Sequence, residues 1–198
     1  MAHLSLTYHS QGRQPEAETL GLQVMELRKK VLGPEHHHTM SPIQRSQIIR
    51  APSEEPVTGI KSVFLAGTTA AVGNNGDWRE NLSALLSNYP VTVFNPNRPD
   101  WDSTWREDIN FGPSREKVLW ELDKKVAADL VVVYLHPATL APISLLEFGL
   151  SAQVAGKVIA VAPEGYSKRA NVQIVCQKFL DTMDQVHELV IDELHLNQ

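Results

Sequence analysis

The sequence predicts an α/β fold in which a parallel sheet of about five strands carries helices on both faces. Three observations predict it. Short apolar segments rich in β-branched residues recur from residue 60 onwards, segments of helical length separate them, and Gly, Pro or Asn follows most of them. Strands that alternate with helices pair in parallel, because each helical crossover returns the chain to the same end of the sheet. We therefore expect a flavodoxin-like, Rossmann-type domain with a short helical appendage at the N-terminus.

Each element of the domain follows from a local pattern. Four short apolar segments predict buried strands at 60–66, 91–94, 129–135 and 157–162. Amphipathic or capped segments predict helices at 78–88, 113–127, 144–155 and 171–179. Asp77 precedes the first of these helices and is a suitable N-cap. The last stretch, 181–196, fits a helix and a short strand, and its pattern does not separate them.

The chain divides into three regions. Residues 1–40 are expected to be helical, because Ala17, Leu20, Val24, Leu27 and Val31 follow the spacing of one helix face. Residues 41–59 contain three prolines and no sustained period, which predicts a linker. The α/β domain is expected to span 60–198.

Composition limits the class of protein and its partners. A net charge of −5 and dispersed Lys and Arg residues argue against a nucleic-acid-binding surface. The lone Cys176 cannot form an internal disulfide, which fits a reducing compartment. No apolar run reaches the length of a membrane span, and the N-terminus lacks a signal-peptide core. We expect a soluble, cytoplasmic protein that does not contact membranes. Because neither Cys176 nor the eight histidines show metal-ligand spacing, we expect no metal site.

The most informative residue is Glu147, an acid among apolar neighbours, just after a loop and at the start of the helix predicted between two strands. In open α/β sheets ligands bind outside the carboxyl ends of the strands, so this acid is expected near the chemistry. Two interpretations stay open on spacing alone. Glu147 is a functional carboxylate, or it is an acid stabilised by the dipole at the start of a helix.

Six motifs in order resemble the nucleoside 2-deoxyribosyltransferase-like family over residues 63–179. They are VFLAGTTA, DWRENL, VFNPNRPDWD, VLWELDKKVAADLVVVYL, APISLLEFG and PEGYSKRANVQIVCQKF. The resemblance implies cleavage or transfer at the N-glycosidic bond of a nucleoside or nucleotide, through a covalent glycosyl-enzyme on Glu147. It also implies a homo-oligomer and no cofactor. Residues 4–40 resemble a single tetratricopeptide repeat of the kinesin-light-chain kind.

The resemblance also implies partners for Glu147. A retaining enzyme needs a nucleophilic carboxylate and a second group that handles the leaving-group proton. Glu121 occupies the position where other members carry Asp, and Asp129 matches the acid that opens a strand. Residues 139–142 lack the acid that other members place before the nucleophile. The candidate substrate-binding residues are Gly67, Thr68, Trp78, Arg79, Trp101, Asp102, Trp105, Asp108, Arg169 and Asn171.

Two other functions remain open from the sequence. The missing loop acid and the Glu121 replacement are compatible with a non-catalytic module that binds a nucleotide or an NAD-derived metabolite. The repeat-like N-terminus is compatible with an interaction protein that works through its N-terminal helices. A nucleoside triphosphatase or a dehydrogenase is not expected, since the chain has no Walker-type or GxGxxG loop.

Overall fold

The computed structural model describes residues 45–68, 76–102 and 104–197. The predicted repeat-like segment lies outside the described residues. Arg45–Gln198 forms one compact unit. Its described residues form a parallel sheet with interleaved helices, so the predicted α/β class is confirmed. The sheet has six strands in the described part of the chain rather than about five.

The strand order places the switch point of the sheet between two central strands. The strands are β1 (Gln47–Arg50), β2 (Lys61–Gly67), β3 (Val91–Asn95), β4 (Leu130–Tyr134), β5 (Val158–Val161) and β6 (Lys178–Leu180), in the spatial order β1-β3-β2-β4-β5-β6. Without the edge strand β1, this is the flavodoxin-like order, in which the direction of winding reverses between the first and third strands. Here those strands are β2 and β4, and their carboxyl ends form the expected ligand-binding edge.

The first strand lies within residues 41–59, which were predicted to be a linker, so this prediction is corrected. Gln47–Arg50 pairs in parallel with β3, with Gln47 opposite Thr92 and Arg50 opposite Asn95. The sequence signal is weak because only the two isoleucines of the strand are apolar. Ile49 is fully buried whereas Ile48 is 38% exposed, which is the alternation typical of an edge strand.

The described residues contain five helices, of which the first four connect consecutive strands from β2 to β6 and the fifth follows β6. They are α1 (Trp78–Leu85), α2 (Gly112–Ala127), α3 (Pro142–Ala152), α4 (Arg169–Val175) and α5 (Val186–Glu193). Asp77 caps α1 as predicted, since its carboxylate accepts the backbone N–H of Arg79. The helix predicted at 171–179 is too long. Cys176 is already extended, and the chain enters β6 two residues later.

The helices cover the two faces of the sheet with separate apolar clusters. On one face α2, α3 and α4 contribute Trp120, Phe148 and Val172. On the other face α1 and α5 contribute Leu82 and Val190. Since both faces are covered, β3 is buried along its whole length and β4 is buried up to Val133.

Gly67 ends β2 in a conformation that side chains rarely adopt. Its φ is +118°, and a Cβ atom there would lie 2.2 Å from the carbonyl oxygen of Tyr134. Gly67 is one of the predicted substrate-binding residues, since a glycine lets the backbone approach a ligand closely. In the structure the close neighbour is the backbone of β4, so the glycine is required for the pairing of β2 with β4.

We expect Gly67→Ala to abolish stable folding or to lower the free energy of unfolding by more than about 3 kcal/mol, because it combines backbone strain with a clash against backbone. The matched control is Gly112→Ala, where a Cβ meets nothing within 4 Å. That variant should change stability by less than about 0.5 kcal/mol. Urea unfolding followed by circular dichroism measures the stability of both variants. Equal free energies of unfolding would contradict the role of Gly67 in the pairing of β2 with β4.

Candidate active site

Glu147 lies in the second turn of α3, not at the helix start. The helix begins at Pro142, behind Ala141 in a left-handed conformation, and its fully described first turn holds no acidic residue. Glu147 is therefore about 7 Å along the axis from the first helical residue. At that distance the helix dipole contributes little, because its effect falls off within the first turn. The interpretation of Glu147 as an acid stabilised by the dipole at a helix start is therefore not supported.

The charged partner of Glu147 is Lys125, near the end of the neighbouring helix α2. Its Nζ forms an ion pair with Oε1 of Glu147. The side chain of Lys125 is 6% exposed and that of Glu147 is 13% exposed, so the pair is largely shielded from water. The Lys125 ammonium also lies 5.6 Å from the ring centre of Phe64, a residue of β2. Sequence analysis missed Lys125, although its spacing of four from Glu121 indicates that both lie on one helix face.

Glu121 is the second carboxylate of this cluster. It lies one turn before Lys125 on α2, and its side chain is only 10% exposed. Burial raises the pKa of Glu121 above its ordinary value, and the negative charge of Glu147 raises it further. Lys117 forms an ion pair with Glu121 and opposes the shift without cancelling it. The charge of Glu147 thus acts on Glu121, although the two carboxylates lie in different environments.

Arg79 is fully buried and binds the end of β2. Its Nε donates to the carbonyl of Leu65 at 3.1 Å, Nη2 to that of Gly67 at 2.7 Å, and Nη1 to that of Thr68 at 3.3 Å. Trp78 adds a hydrogen bond from Nε1 to the same Thr68 carbonyl at 3.0 Å. These contacts give no support to the expected role of Arg79 in substrate binding. Its guanidinium instead holds the turn beside the ligand-binding edge.

Thr68 joins the carboxyl ends of β2 and β4. Its backbone N–H donates to the carbonyl of Tyr134 at 2.8 Å, and its hydroxyl accepts the backbone N–H of His136 at 3.2 Å. The rings of Trp78, Tyr134 and His136 form an edge-to-face row at centre distances of 5.7 and 5.9 Å. Tyr134 and His136 were not predicted as site residues, although they lie where β4 ends, at the switch point.

Comparison with known families now decides the identity. The profile described as "Nucleoside 2-deoxyribosyltransferase like" matches residues 60–166. The chain belongs to the nucleoside 2-deoxyribosyltransferase-like family. A tetratricopeptide repeat profile matches residues 1–38. No curated protein matches the chain.

Family membership indicates a domain for glycosyl transfer at nucleosides. The matched range contains Glu121, Lys125 and Glu147, the three charged residues that the structure brings together between α2 and α3. It ends before Arg169 and Asn171. In this member of the family, Arg169 donates from Nε to the carbonyl of Ala162 and forms an ion pair with Asp181. Asn171 is exposed on α4.

The loop after β3 holds the other predicted binding residues of this family member. Trp101 is 59% exposed, whereas Trp105 packs edge-to-face on Phe111. The carboxylates of Asp102 and Asp108 accept backbone N–H groups within the loop itself, from Thr104 and Asn110. Buried Arg98, paired with Asp100 and Glu116, anchors the loop and lies 4.9 Å from the ring centre of Trp105. The loop follows the carboxyl end of β3, but its described contacts do not join it to the carboxylate cluster.

Asp129 lies at the opposite end of the sheet from the ligand-binding edge. It precedes β4, and its carboxylate accepts the backbone N–H and the hydroxyl of Ser62, both at 2.8 Å. Burial alone would raise its pKa, but the hydrogen bonds from Ser62 and the charge of Lys61 lower the pKa below its ordinary value. These contacts indicate a structural role for Asp129, because they link the amino ends of β2 and β4.

Two further features of the described residues bear on the site. No helix among them is long and apolar enough to cross a membrane. Within the same residues, no group of three or more His, Cys, Asp or Glu side chains is placed to hold a metal ion.

We expect Asp129→Asn to lower the free energy of unfolding by about 1 kcal/mol at neutral pH, because a half-exposed, charged acceptor is lost. The carboxylate has a lowered pKa in the folded protein, so its stabilisation is complete above the unfolded pKa of about 3.9 and is lost as the pH falls through the lower, folded pKa. The difference in the free energy of unfolding between wild type and Asp129→Asn should therefore become smaller below about pH 4.

Urea unfolding at neutral and acidic pH measures this difference. Asp123→Asn is the matched control, since the side chain of Asp123 is 70% exposed and pairs only with the neighbouring Lys124 in the described contacts. If the variant is as stable as wild type at neutral pH but has a much lower rate of catalysis, Asp129 takes part in the reaction after all.

Proposed function

We propose that this protein cleaves or transfers at the N-glycosidic bond of a nucleoside or nucleotide, with Glu147 as the nucleophile. The observation that supports this most directly is the pair of shielded carboxylates on facing helices. Glu147 is ion-paired with Lys125, whereas Glu121 has a raised pKa. Two carboxyl groups whose environments differ in this way can divide the roles of nucleophile and acid.

In the first step, a carboxylate oxygen of Glu147 attacks the anomeric carbon of the sugar. The bond from that carbon to the base nitrogen breaks, and its electron pair stays on the base. Glu121 supplies a proton to the departing base, which leaves as a neutral molecule. A glycosyl ester on Glu147 remains, and Glu121 is now ionised.

In the second step, an acceptor attacks the same carbon and releases Glu147. If the acceptor is water, Glu121 takes a proton from it and the product is the free sugar. If the acceptor is a second base, the product is a new nucleoside. Both outcomes share one intermediate, and neither requires a metal or an organic cofactor.

The proposed substrate is a small molecule rather than a nucleic acid. The chain has a net charge of −5, so its surface does not favour a polyanion. The single cysteine and a nucleotide-derived substrate fit a cytoplasmic enzyme.

We expect Glu147→Gln to lower the rate of base release by roughly a thousandfold or more, because an amide does not form the ester intermediate. The assay is chromatographic detection of free base from a panel of nucleosides, nucleoside 5′-monophosphates and NAD. Glu188→Gln is the matched control, since Glu188 is exposed on α5, which packs on the opposite face of the sheet. Its rate should equal that of wild type.

Mass spectrometry tests the intermediate separately. Wild type mixed with a slowly cleaved substrate should gain the mass of the sugar on the peptide that contains Glu147. Base release without any such adduct, at an undiminished rate in Glu147→Gln, would exclude this residue as the nucleophile.

The rate of base release should fall as the pH rises through the raised pKa of Glu121, because the acid form is lost. In Glu121→Gln the residual rate should be roughly a hundredfold or more lower and should no longer have this alkaline decline. A pH–rate profile of both proteins measures the effect. An unchanged alkaline decline in the variant would assign the acid role to another group.

The second candidate function is a module that binds a nucleotide or NAD-derived metabolite without turnover. The specific observation in its favour is that Lys125 engages the Glu147 carboxylate, while residues 139–142 lack an acid. Calorimetric titration of the same panel distinguishes the two functions. Tight binding with no base release, equal in wild type and Glu147→Gln, would support the binding module.

A further inference from the structure

Lys125 is a cation buried between a strand and a helix. Its ammonium pairs with Oε1 of Glu147 on α3 and lies 5.6 Å from the ring centre of Phe64 on β2. Its side chain is 6% exposed, and lysine is rarely buried to this extent unless its charge is paired. A buried ion pair is weak evidence for stability, because the loss of hydration often exceeds the attraction between the charges. The position of Lys125 is better explained by its effect on Glu147.

The contact occupies one of the two carboxylate oxygens of Glu147. Lys125 donates to Oε1, and Oε2 accepts no hydrogen bond from the part of the chain that the structure describes. The carboxylate is therefore held through one oxygen while the other is available for attack on a sugar.

The inference drawn from this contact rests on the proposed function of Glu147. We propose that Lys125 is a positioning residue that holds Glu147 through Oε1 and promotes its departure from the sugar in the second step. In that step the acceptor bonds to the anomeric carbon, and the bond from that carbon to the Glu147 oxygen breaks. The electron pair of the broken bond returns to the carboxylate, and Glu121 takes the proton of the acceptor. The ammonium of Lys125 stabilises the returning negative charge, which restores the ion pair.

The same cation opposes the first step. It stabilises ionised Glu147 before the attack, and the attack removes the charge with which Lys125 is paired. An interaction that is stronger in the ground state than in the transition state raises the barrier of that step. Lys125 therefore slows the formation of the glycosyl-enzyme and speeds its breakdown. We expect the second step in wild type to be no slower than the first, so that the intermediate does not accumulate.

Lys125 also acts on Glu121, with the same consequence. Burial raises the pKa of Glu121, whereas the positive charges of Lys117 and Lys125 lower it. Without Lys125, the protonated form of Glu121 is favoured more strongly. That form serves the first step as an acid, but the second step needs the ionised form as a base. Loss of the cation therefore slows the second step through both carboxyl groups.

Steady-state kinetics of Lys125→Gln test this role, with the best substrate from the panel of nucleosides, nucleoside 5′-monophosphates and NAD. Glutamine still donates a hydrogen bond but carries no charge. We expect kcat to fall roughly tenfold or more, while kcat/KM stays within about threefold of the wild-type value. The reason is that kcat/KM reports the steps up to the glycosyl-enzyme, whereas kcat then reports its breakdown. A general loss of active-site structure would lower both.

Rapid-quench kinetics and intact-protein mass spectrometry measure the intermediate directly. In Lys125→Gln, free base should appear in a burst of about one equivalent per active site, and the protein should carry the mass of the sugar. Lys125→Arg keeps the positive charge and should show neither change. Lys124→Gln is the matched control, since Lys124 is the preceding residue of α2 but pairs with Glu54 and Asp123. Its kcat should equal that of wild type.

Circular dichroism and thermal unfolding show whether Lys125→Gln is folded. Wild type provides a second test that needs no folded variant, because its base release should begin without a burst. A burst in wild type overturns the role of Lys125. A folded Lys125→Gln enzyme also overturns it if kcat is unchanged or falls together with kcat/KM.

The assay also separates this role from the proposed function. If wild type releases base and Glu147→Gln does not, Glu147 keeps its role whatever Lys125→Gln shows. If wild type releases no base from any member of the panel, the proposed function itself fails, and the role of Lys125 fails with it.

Discussion

The buried guanidinium of Arg79 is the interaction on which the ligand-binding edge depends. Three carbonyls at the end of β2 accept hydrogen bonds from it, and that of Thr68 accepts a further one from Trp78. By fixing these carbonyls, Arg79 fixes the turn through Gly67 and Thr68, which in turn joins the carboxyl ends of β2 and β4. The guanidinium of Arg79, a residue of α1, thus stabilises the switch point of the sheet.

The charged residues of α2 have a different role from the buried guanidinium of Arg79. Lys117, Glu121 and Lys125 repeat at a spacing of four on one face of α2, where Glu121 and Lys125 are largely shielded from water and Lys125 pairs with Glu147 of α3. Burying such charges costs several kcal/mol each before pairing, and apolar residues of similar volume often give a more stable protein. A helix that keeps three charges in that position is therefore poorly explained by stability. The proposed reaction, in which two carboxyl groups take different roles, accounts for their presence.

The sequence predicted the central part of the fold because each strand there carries its own signal. Residues 130–134 and 158–161 are continuous β-branched or apolar runs, and such runs are buried wherever they pair. The edge strands β1 and β6 are short and half polar, so their pairing is set by the neighbouring strand and not by their own residues. The ion pair of Glu147 with Lys125 was beyond prediction for a similar reason. It joins residues 22 positions apart on different helices.

In the proposed reaction, the same ion pair would let one carboxyl group act first as an acid and then as a base. Before the proposed attack, burial and the negative charge of Glu147 both raise the pKa of Glu121, which favours its protonated form. Once Glu147 becomes a neutral ester, that charge is gone, while Lys125 stays buried without its partner. Lys117 and Lys125 then both act on Glu121 and favour its ionised form, which is the form that takes a proton from the acceptor. The proposed reaction would thus change the charge around Glu121 in the direction that its second step requires.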